Sequence, residues 1–141
     1  YTPPGHWNAI ACEDFVTMNL SEVRWARNLA LLNSSLMDAA IACWDAKYLY
    51  YNPRPQQMDS RIKTTVGLPN FPAYTSGHST FSGAAATVLS YLNPGRTSAY
   101  EAMAKEASES RIYGAIHYRS DCEQGLRCGN RVAGFAVERG R

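Results

Sequence analysis

The chain has 141 residues, of which 45% are hydrophobic and 18% are charged, and its formal net charge is +2. The length and composition predict at most one ordinary globular domain, over residues 1–141. The small net charge argues against a nucleic-acid-binding protein, and no apolar run is long enough to span a bilayer. We therefore expect partners that are neither nucleic acid nor membrane.

The two ends of the chain and its cysteines leave several questions open. The chain begins at Tyr1 without an initiator Met or a signal-like segment, so we expect it to be a piece of a longer polypeptide or a processed product. Four cysteines allow three pairings if all are oxidised. Cys122 and Cys128 are near enough in sequence to close a small loop, whereas Cys43 is expected to be a small buried apolar residue.

Helical patterns dominate the chain from beginning to end. Residues 7–18 have helical composition, and Ser21 followed by Glu22 predicts the start of a long helix that ends before Asn52-Pro53. A kink or a break into two helices is expected at residues 33–35 as an alternative to one continuous helix. Further helices are predicted over residues 79–92, 97–116 and 123–138, and residues 56–73 are expected to be a long connection. The predicted fold class is all-α, a helical bundle.

The segment from Phe71 to Ser79 carries the first candidate site. Thr75 or Ser76 can cap the following helix, and Gly77 lets the backbone approach a ligand closely. Such a helix start points free amide groups and the positive end of the helix dipole at an anion, with the His78 imidazole beside it. The segment alone is equally typical of a capped helix with an incidental surface histidine.

Cations and a histidine–carboxylate pair form the second and third candidate clusters. Lys47 and Arg54 flank the predicted end of the long helix, where they would also be expected as solvated charges at a helix C-terminus. His117 and Asp121 are four residues apart, which puts them on one face of a helical turn. The carboxylate can then accept from one ring nitrogen and make the other a better nucleophile or metal ligand. Arg111 adds a third cation.

Three motifs resemble the signature of one superfamily. It joins type 2 phosphatidic acid phosphatases, bacterial acid phosphatases and vanadium-dependent haloperoxidases, and its motifs occur in the same order as here. The matching residues are Lys47-x6-Arg54-Pro55, Ser76-Gly77-His78 and Ser110-Arg111-x5-His117-x3-Asp121. The resemblance covers residues 44–121 and implies a helical bundle that binds phosphate or vanadate.

The resemblance also implies a role for each motif residue. The equatorial oxygens of the bound anion would be surrounded by Lys47, Arg54 and Arg111, with further hydrogen bonds from Ser76 and the Gly77 amide. His117 would be the nucleophile of a phosphatase or the axial vanadium ligand of a haloperoxidase, oriented by Asp121. His78 would be the general acid or base in both, and Lys47 would withdraw charge from bound peroxide.

Two sequence features favour the haloperoxidase branch. The FPAYTSGH segment and the position of Trp44, three residues before Lys47, are similar to haloperoxidase members. Phe71 stands where bromoperoxidase-like members carry an additional His, so Trp44 and Phe71 are assigned to the substrate pocket. Two positions depart from the family pattern. Thr75 replaces the usual Pro before Ser76, and Asn52-Pro53 stands where an aromatic residue is common.

Three functions are therefore carried forward. The first is a vanadate-dependent oxidation of halide by hydrogen peroxide, with vanadate as cofactor. The second is hydrolysis of a phosphomonoester through a phosphohistidine, which requires no cofactor. The third is a non-catalytic oxyanion-binding fragment. For location we expect the periplasm or secretion rather than the cytoplasm, and a homo-oligomer is compatible with the sequence.

Overall fold

The computed structural model describes residues 2–140, and all its regular structure in that range is helical. The α-helices are α1 (Pro3–Thr17), α2 (Glu22–Tyr50), α3 (Pro55–Met58), α4 (Gly77–Leu92), α5 (Thr97–Tyr113) and α6 (Arg119–Arg139), with a 3₁₀ turn at Pro94–Arg96. The all-α prediction is therefore confirmed. Within residues 2–140, none of the helices combines the length and apolar character that crossing a membrane would need.

Short polar side chains define where the helices begin. The hydroxyls of Thr2, Ser21 and Ser76 accept hydrogen bonds from amide groups three residues further on, at the first turns of α1, α2 and α4. The helix α2 is terminated by Tyr51, the residue after its last turn, which has a left-handed φ of 51°. Pro53 lies two residues further on. These boundaries follow from local sequence.

Some predicted boundaries are wrong. The helix α2 is unbroken from Glu22 to Tyr50, so the predicted alternative of two helices is wrong. The side chain of Asn33 donates to the Leu29 carbonyl one turn earlier in α2 and also pairs with Asn8 of α1, and α2 stays continuous with both contacts in place. The helices α1 and α6 each begin four residues earlier than predicted, at Pro3 and Arg119.

The helix α4 forms the centre of the bundle and contacts α1, α2, α5 and α6. Eleven of its sixteen residues are buried, most of them Gly, Ala, Ser and Thr. Its closest neighbour is α6, because both helices present small residues where they meet. A Cβ atom added to Gly129 would lie 2.0 Å from the Thr80 carbonyl oxygen, and one added to Gly125 would lie 2.8 Å from the Ser76 carbonyl oxygen. The two backbones are thus in direct contact.

The connection between α2 and α4 is irregular except for α3, as predicted. The Ala73 amide donates to the Asn52 carbonyl at 2.9 Å, which ties the two ends of this connection together. All four cysteines are free thiols. Cys122 and Cys128 lie on the same helix, α6, so the predicted alternative of a small disulfide loop is not formed.

Replacing two glycines of α6 by alanine is expected to change the free energy of unfolding in opposite directions, because one of them lies at the contact with α4 and the other does not. Gly129→Ala forces the helices apart and should lower the free energy of unfolding by about 3 kcal/mol. Gly134 has no atom within 4 Å of an added Cβ, so Gly134→Ala should raise stability by about 0.5–1 kcal/mol through helix propensity. Urea unfolding of the two variants measures both effects, and equal effects would contradict the packing described here.

Candidate active site

The start of α4 provides unpaired backbone donors. The Ser76 hydroxyl accepts from the Ser79 amide at 3.3 Å, and the Ser76 amide donates to the Asp121 carbonyl at 3.0 Å. The amides of Gly77 and His78, in the first turn, have no partner within the helix. Both residues line a cavity of about 280 Å³. The N-terminus of α4 therefore directs two N–H groups and its positive dipole end toward this space.

His117 is oriented by Asp121 at the start of α6. His117 lies two residues before the helix, Asp121 lies in its first turn, and the distance from His117 Nδ1 to Asp121 Oδ2 is 3.1 Å. The same carboxylate oxygen accepts from the Tyr118 amide at 3.0 Å. Both residues are buried. The pair thus has the geometry expected from its spacing, with the second ring nitrogen, Nε2, available for another partner.

Arg54 is the partner of the His117 Nε2 atom. Its Nη1 lies 2.9 Å from His117 Nε2 and also donates to the Ile116 carbonyl at 2.8 Å. Its Nε and Nη2 donate to the Phe71 carbonyl at 3.1 and 3.0 Å. A guanidinium has no acceptor, so His117 Nε2 must be the acceptor and Nδ1 must carry the proton donated to Asp121. The neighbours of His117 therefore fix its tautomer.

Lys47 is held entirely by backbone carbonyls. Its Nζ donates to the carbonyl oxygens of Pro72, Ala73 and Thr75, and the residue is fully buried. Burial, together with the nearby Arg54 charge, lowers the pKa of Lys47 to about 8. All three ammonium hydrogens have acceptors, so Lys47 can contact an anion only by giving up a carbonyl.

Arg111 and His78 are the cation and the imidazole that line the cavity beside His117. Arg111 Nε donates to the Ser110 hydroxyl at 3.0 Å. Burial lowers the pKa of His78 to about 4, and the charges of Arg111 and His117 contribute to this shift. Burial also lowers the pKa of His117, partly opposed by its bond to Asp121. Both imidazoles are therefore neutral at pH 7 when no anion is present.

The opposite wall of the cavity is apolar and mostly aromatic. The Trp44 and Phe71 rings are 5.3 Å apart, and the Trp44 and Phe81 rings are 6.2 Å apart. Lys47 Nζ lies 5.1 Å from the centre of the Phe71 ring. The aromatic wall keeps the buried ammonium group away from bulk water and confines the cavity.

The structure brings the predicted site residues together in two layers. Six of them line the cavity: Trp44, Phe71, Gly77, His78, Arg111 and His117. The other four, Lys47, Arg54, Ser76 and Asp121, are buried directly behind these. Sequence reasoning missed several wall residues. Phe81 was detectable, since it lies one turn after Gly77 on the same helix, whereas Pro3 and Val66 come from distant segments and gave no signal.

Thr75, the residue that departs from the family pattern, is buried beneath the site. Its hydroxyl lies 3.4 Å from Cys43 Sγ and 3.5 Å from the Thr80 hydroxyl, and its carbonyl accepts from Lys47. The substitution for Pro is therefore accommodated by side-chain contacts that proline cannot make.

The donor set fits an oxyanion. Among residues 2–140 there is no cluster of three His, Cys, Asp or Glu side chains that would hold a metal cation. The site instead offers guanidinium, ammonium and amide donors, together with the imidazole lone pair of His117 Nε2. Phosphate and vanadate need donors of this kind on their oxygens, and vanadium can also accept one nitrogen ligand.

The carbonyl bonds of Lys47 predict a large cost for removing its charge. Lys47→Met leaves three buried carbonyls without a donor and should lower the free energy of unfolding by about 2–4 kcal/mol. Lys63→Met, at an exposed position of the same connection, should change it by less than about 0.5 kcal/mol. Chemical denaturation tests both variants, and an unaffected Lys47→Met protein would contradict the bonding described.

The lowered pKa of His78 predicts a pH-dependent stability. Since the pKa is 6.5 in the unfolded chain and about 4 in the folded one, the unfolded state binds more protons between these values. Stability should therefore fall as the pH drops through that window, and it should fall less in His78→Gln. NMR titration should show the His78 pKa rising when inorganic phosphate is added. The same dependence of stability on pH in the unmodified chain and in His78→Gln would contradict the lowered pKa of His78.

Comparisons with known proteins show the family to which the chain belongs. The family model of the PAP2 superfamily matches residues 28–138. A search of curated proteins found no match. Among solved structures, the chain is similar to one described as the first bacterial vanadium-dependent iodoperoxidase, with 32% sequence identity and a TM-score of 0.87. The match covers 97% of this chain and 38% of that one. With a family match over more than three quarters of its length and the three motifs meeting at one cavity, the chain belongs to the PAP2 superfamily.

Proposed function

We propose that this chain is the catalytic domain of a vanadate-dependent haloperoxidase, which oxidises a halide with hydrogen peroxide. The observation that carries the proposal is His117, whose Nδ1 is bound by Asp121 and whose Nε2 meets Arg54 at the edge of the cavity. The similarity to the iodoperoxidase structure supports this branch of the superfamily over the phosphatases.

Vanadate would be held by residues already in place. His117 Nε2 would bind the vanadium, and the oxygens would be bound by Arg54, Arg111, Lys47, the Ser76 hydroxyl and the Gly77 amide. When bound, vanadate activates hydrogen peroxide toward attack by a halide. Arg54 would turn from His117 Nε2 to the anion, so the guanidinium that fixes the His117 tautomer would also neutralise charge on vanadate.

His78 is suited to accept a proton in this reaction. Its neutral imidazole lines the cavity together with Arg111 and His117, so it can take a proton from hydrogen peroxide as the peroxide enters. Binding of an anion brings negative charge close to the ring, which raises the pKa of His78 and helps it to keep that proton. Lys47, whose pKa is lowered to about 8 by burial, would contact the anion by giving up one of its carbonyl acceptors.

The apolar wall favours a small, weakly hydrated substrate. Trp44, Phe71 and Phe81 face the cavity, and its volume of about 280 Å³ is at the small end of ligand sites. Iodide and bromide are larger than chloride and fluoride, so they lose less hydration free energy on leaving water for such surroundings. The aromatic wall also limits the water that would compete with the halide.

Phosphomonoester hydrolysis is the second candidate, because the His117–Asp121 pair also suits a nucleophile. In that reaction His117 Nε2 would form a bond to phosphorus while the bond from phosphorus to the alcohol oxygen breaks, and His78 would protonate the departing oxygen. With a pKa of about 4, His78 lacks that proton at pH 7. The negative charge of the bound substrate would have to raise the pKa of His78 before the ring could carry that proton.

Activity assays on the same preparation distinguish the two reactions. After loading with vanadate, the chain should halogenate a phenolic reporter with hydrogen peroxide and iodide or bromide. Without vanadate, we expect little hydrolysis of an aryl phosphate. Hydrolysis without halogenation would replace the proposal by the phosphatase, and the absence of both activities would favour the non-catalytic fragment.

Variants of the three histidines assign the roles within the site. His78→Ala should lower halogenation by about 10²–10⁴-fold while vanadate still raises the unfolding temperature. His117→Ala should lose both activity and this thermal shift. His6→Ala, exposed on α1, is the control and should retain both. Full activity in His117→Ala would contradict the assignment.

A further inference from the structure

A second concave surface lies on the other side of the segment that holds Lys47. It runs between the C-terminal part of α2 and the outer face of α6, with Tyr74 and Thr75 at its base, and its volume is about 760 Å³. None of its lining residues lines the active-site cavity. We refer to it as the α2–α6 groove. Nothing in the proposed reaction uses this surface.

Two unpaired arginines give the groove its charge. Arg127 and Arg131 are one turn apart on α6, and both are exposed. Within the part of the chain that the structure describes, neither side chain takes part in any of the ion pairs, and no Asp or Glu lines the groove. Two like charges at this spacing disfavour the helix slightly. The residues that line the groove therefore carry a net positive charge.

Aromatic rings stand beside these charges. Tyr50 and Tyr74 form an edge-to-face pair with ring centres 5.2 Å apart. Phe135, one turn beyond Arg131 on the same face of α6, is 62% exposed. A surface of three aromatic rings offers flat contact area, and a guanidinium offers a planar pair of donors that matches a carboxylate. The combination complements a ligand that is both flat and anionic.

We propose that the α2–α6 groove is a binding site for an aromatic carboxylate. The carboxylate would be bound by Arg127 and Arg131, and its ring would lie against Tyr50, Tyr74 and Phe135. Gln124, on the same face of α6, adds an amide that can donate to the carboxylate or to a ring substituent. The groove volume is within the usual range for small-molecule sites. This inference does not depend on the reaction proposed for the active site.

Calorimetric titration with 4-hydroxybenzoate tests the site on the unmodified chain. We expect binding with a dissociation constant below about 1 mM. Cyclohexanecarboxylate carries the same charge without an aromatic ring and should bind at least about tenfold more weakly. Equal binding of the two acids, or no binding of either, would overturn the proposal.

Substitutions locate the binding to this groove. The double variant Arg127→Gln, Arg131→Gln should weaken 4-hydroxybenzoate binding by at least about tenfold, since it removes the charge-assisted hydrogen bonds. Arg24→Gln, exposed at the start of α2, is the matched control and should bind as the unmodified chain does. A thermal shift with inorganic phosphate, unchanged in all three proteins, shows that the fold and the active site are intact. Unchanged affinity in the double variant would refute the proposed location.

Discussion

The contact between the backbones of α4 and α6 is the constraint on which the site depends. Gly125 and Gly129 present no side chain of their own to α4, so the Ser76 and Thr80 carbonyls approach the α6 backbone directly. At the N-terminal end of this contact the Ser76 amide bonds to the Asp121 carbonyl. The capped start of one helix and the histidine-bearing start of the other are thereby fixed side by side, and an anion between them would receive donors from both.

The site contains more cationic groups than carboxylates. Lys47, Arg54 and Arg111 are partly or wholly buried near two imidazoles, and burial lowers the pKa of all five groups. Asp121 is the carboxylate that contacts His117, and its other oxygen, Oδ1, has no hydrogen-bond partner. Backbone carbonyls of the α2–α4 connection provide the remaining acceptors. An oxyanion would supply the missing charge, so ligand binding should stabilise the domain as well as serve chemistry.

The residues of the site were predictable to different degrees. The motif residues were identified from their order and spacing, and His117 with Asp121 has the geometry that a separation of four residues implies. The bonds of Lys47 to three carbonyls were not predictable, because backbone acceptors leave no trace in residue identity. The contact from Arg54 to His117 joins residues 63 positions apart, and only folding decides such a contact. The early start of α6 was missed because the Asp121 carboxylate accepts from the Tyr118 amide there, a local cap that does not depend on a Ser, Thr or Asn before the helix.

The sequence by itself determined the helical class, the caps that begin α2 and α4, and the set of residues able to bind an oxyanion. These follow from local periodicity, from hydroxyls that accept first-turn amides, and from side chains whose chemistry is intrinsic. The tertiary structure alone decided which donors are free and which are already bonded. It also placed Pro3, Val66 and Phe81 in one wall and set Arg127 and Arg131 beside two tyrosines. Those relationships depend on how helices distant in sequence pack, which is a property of the whole core.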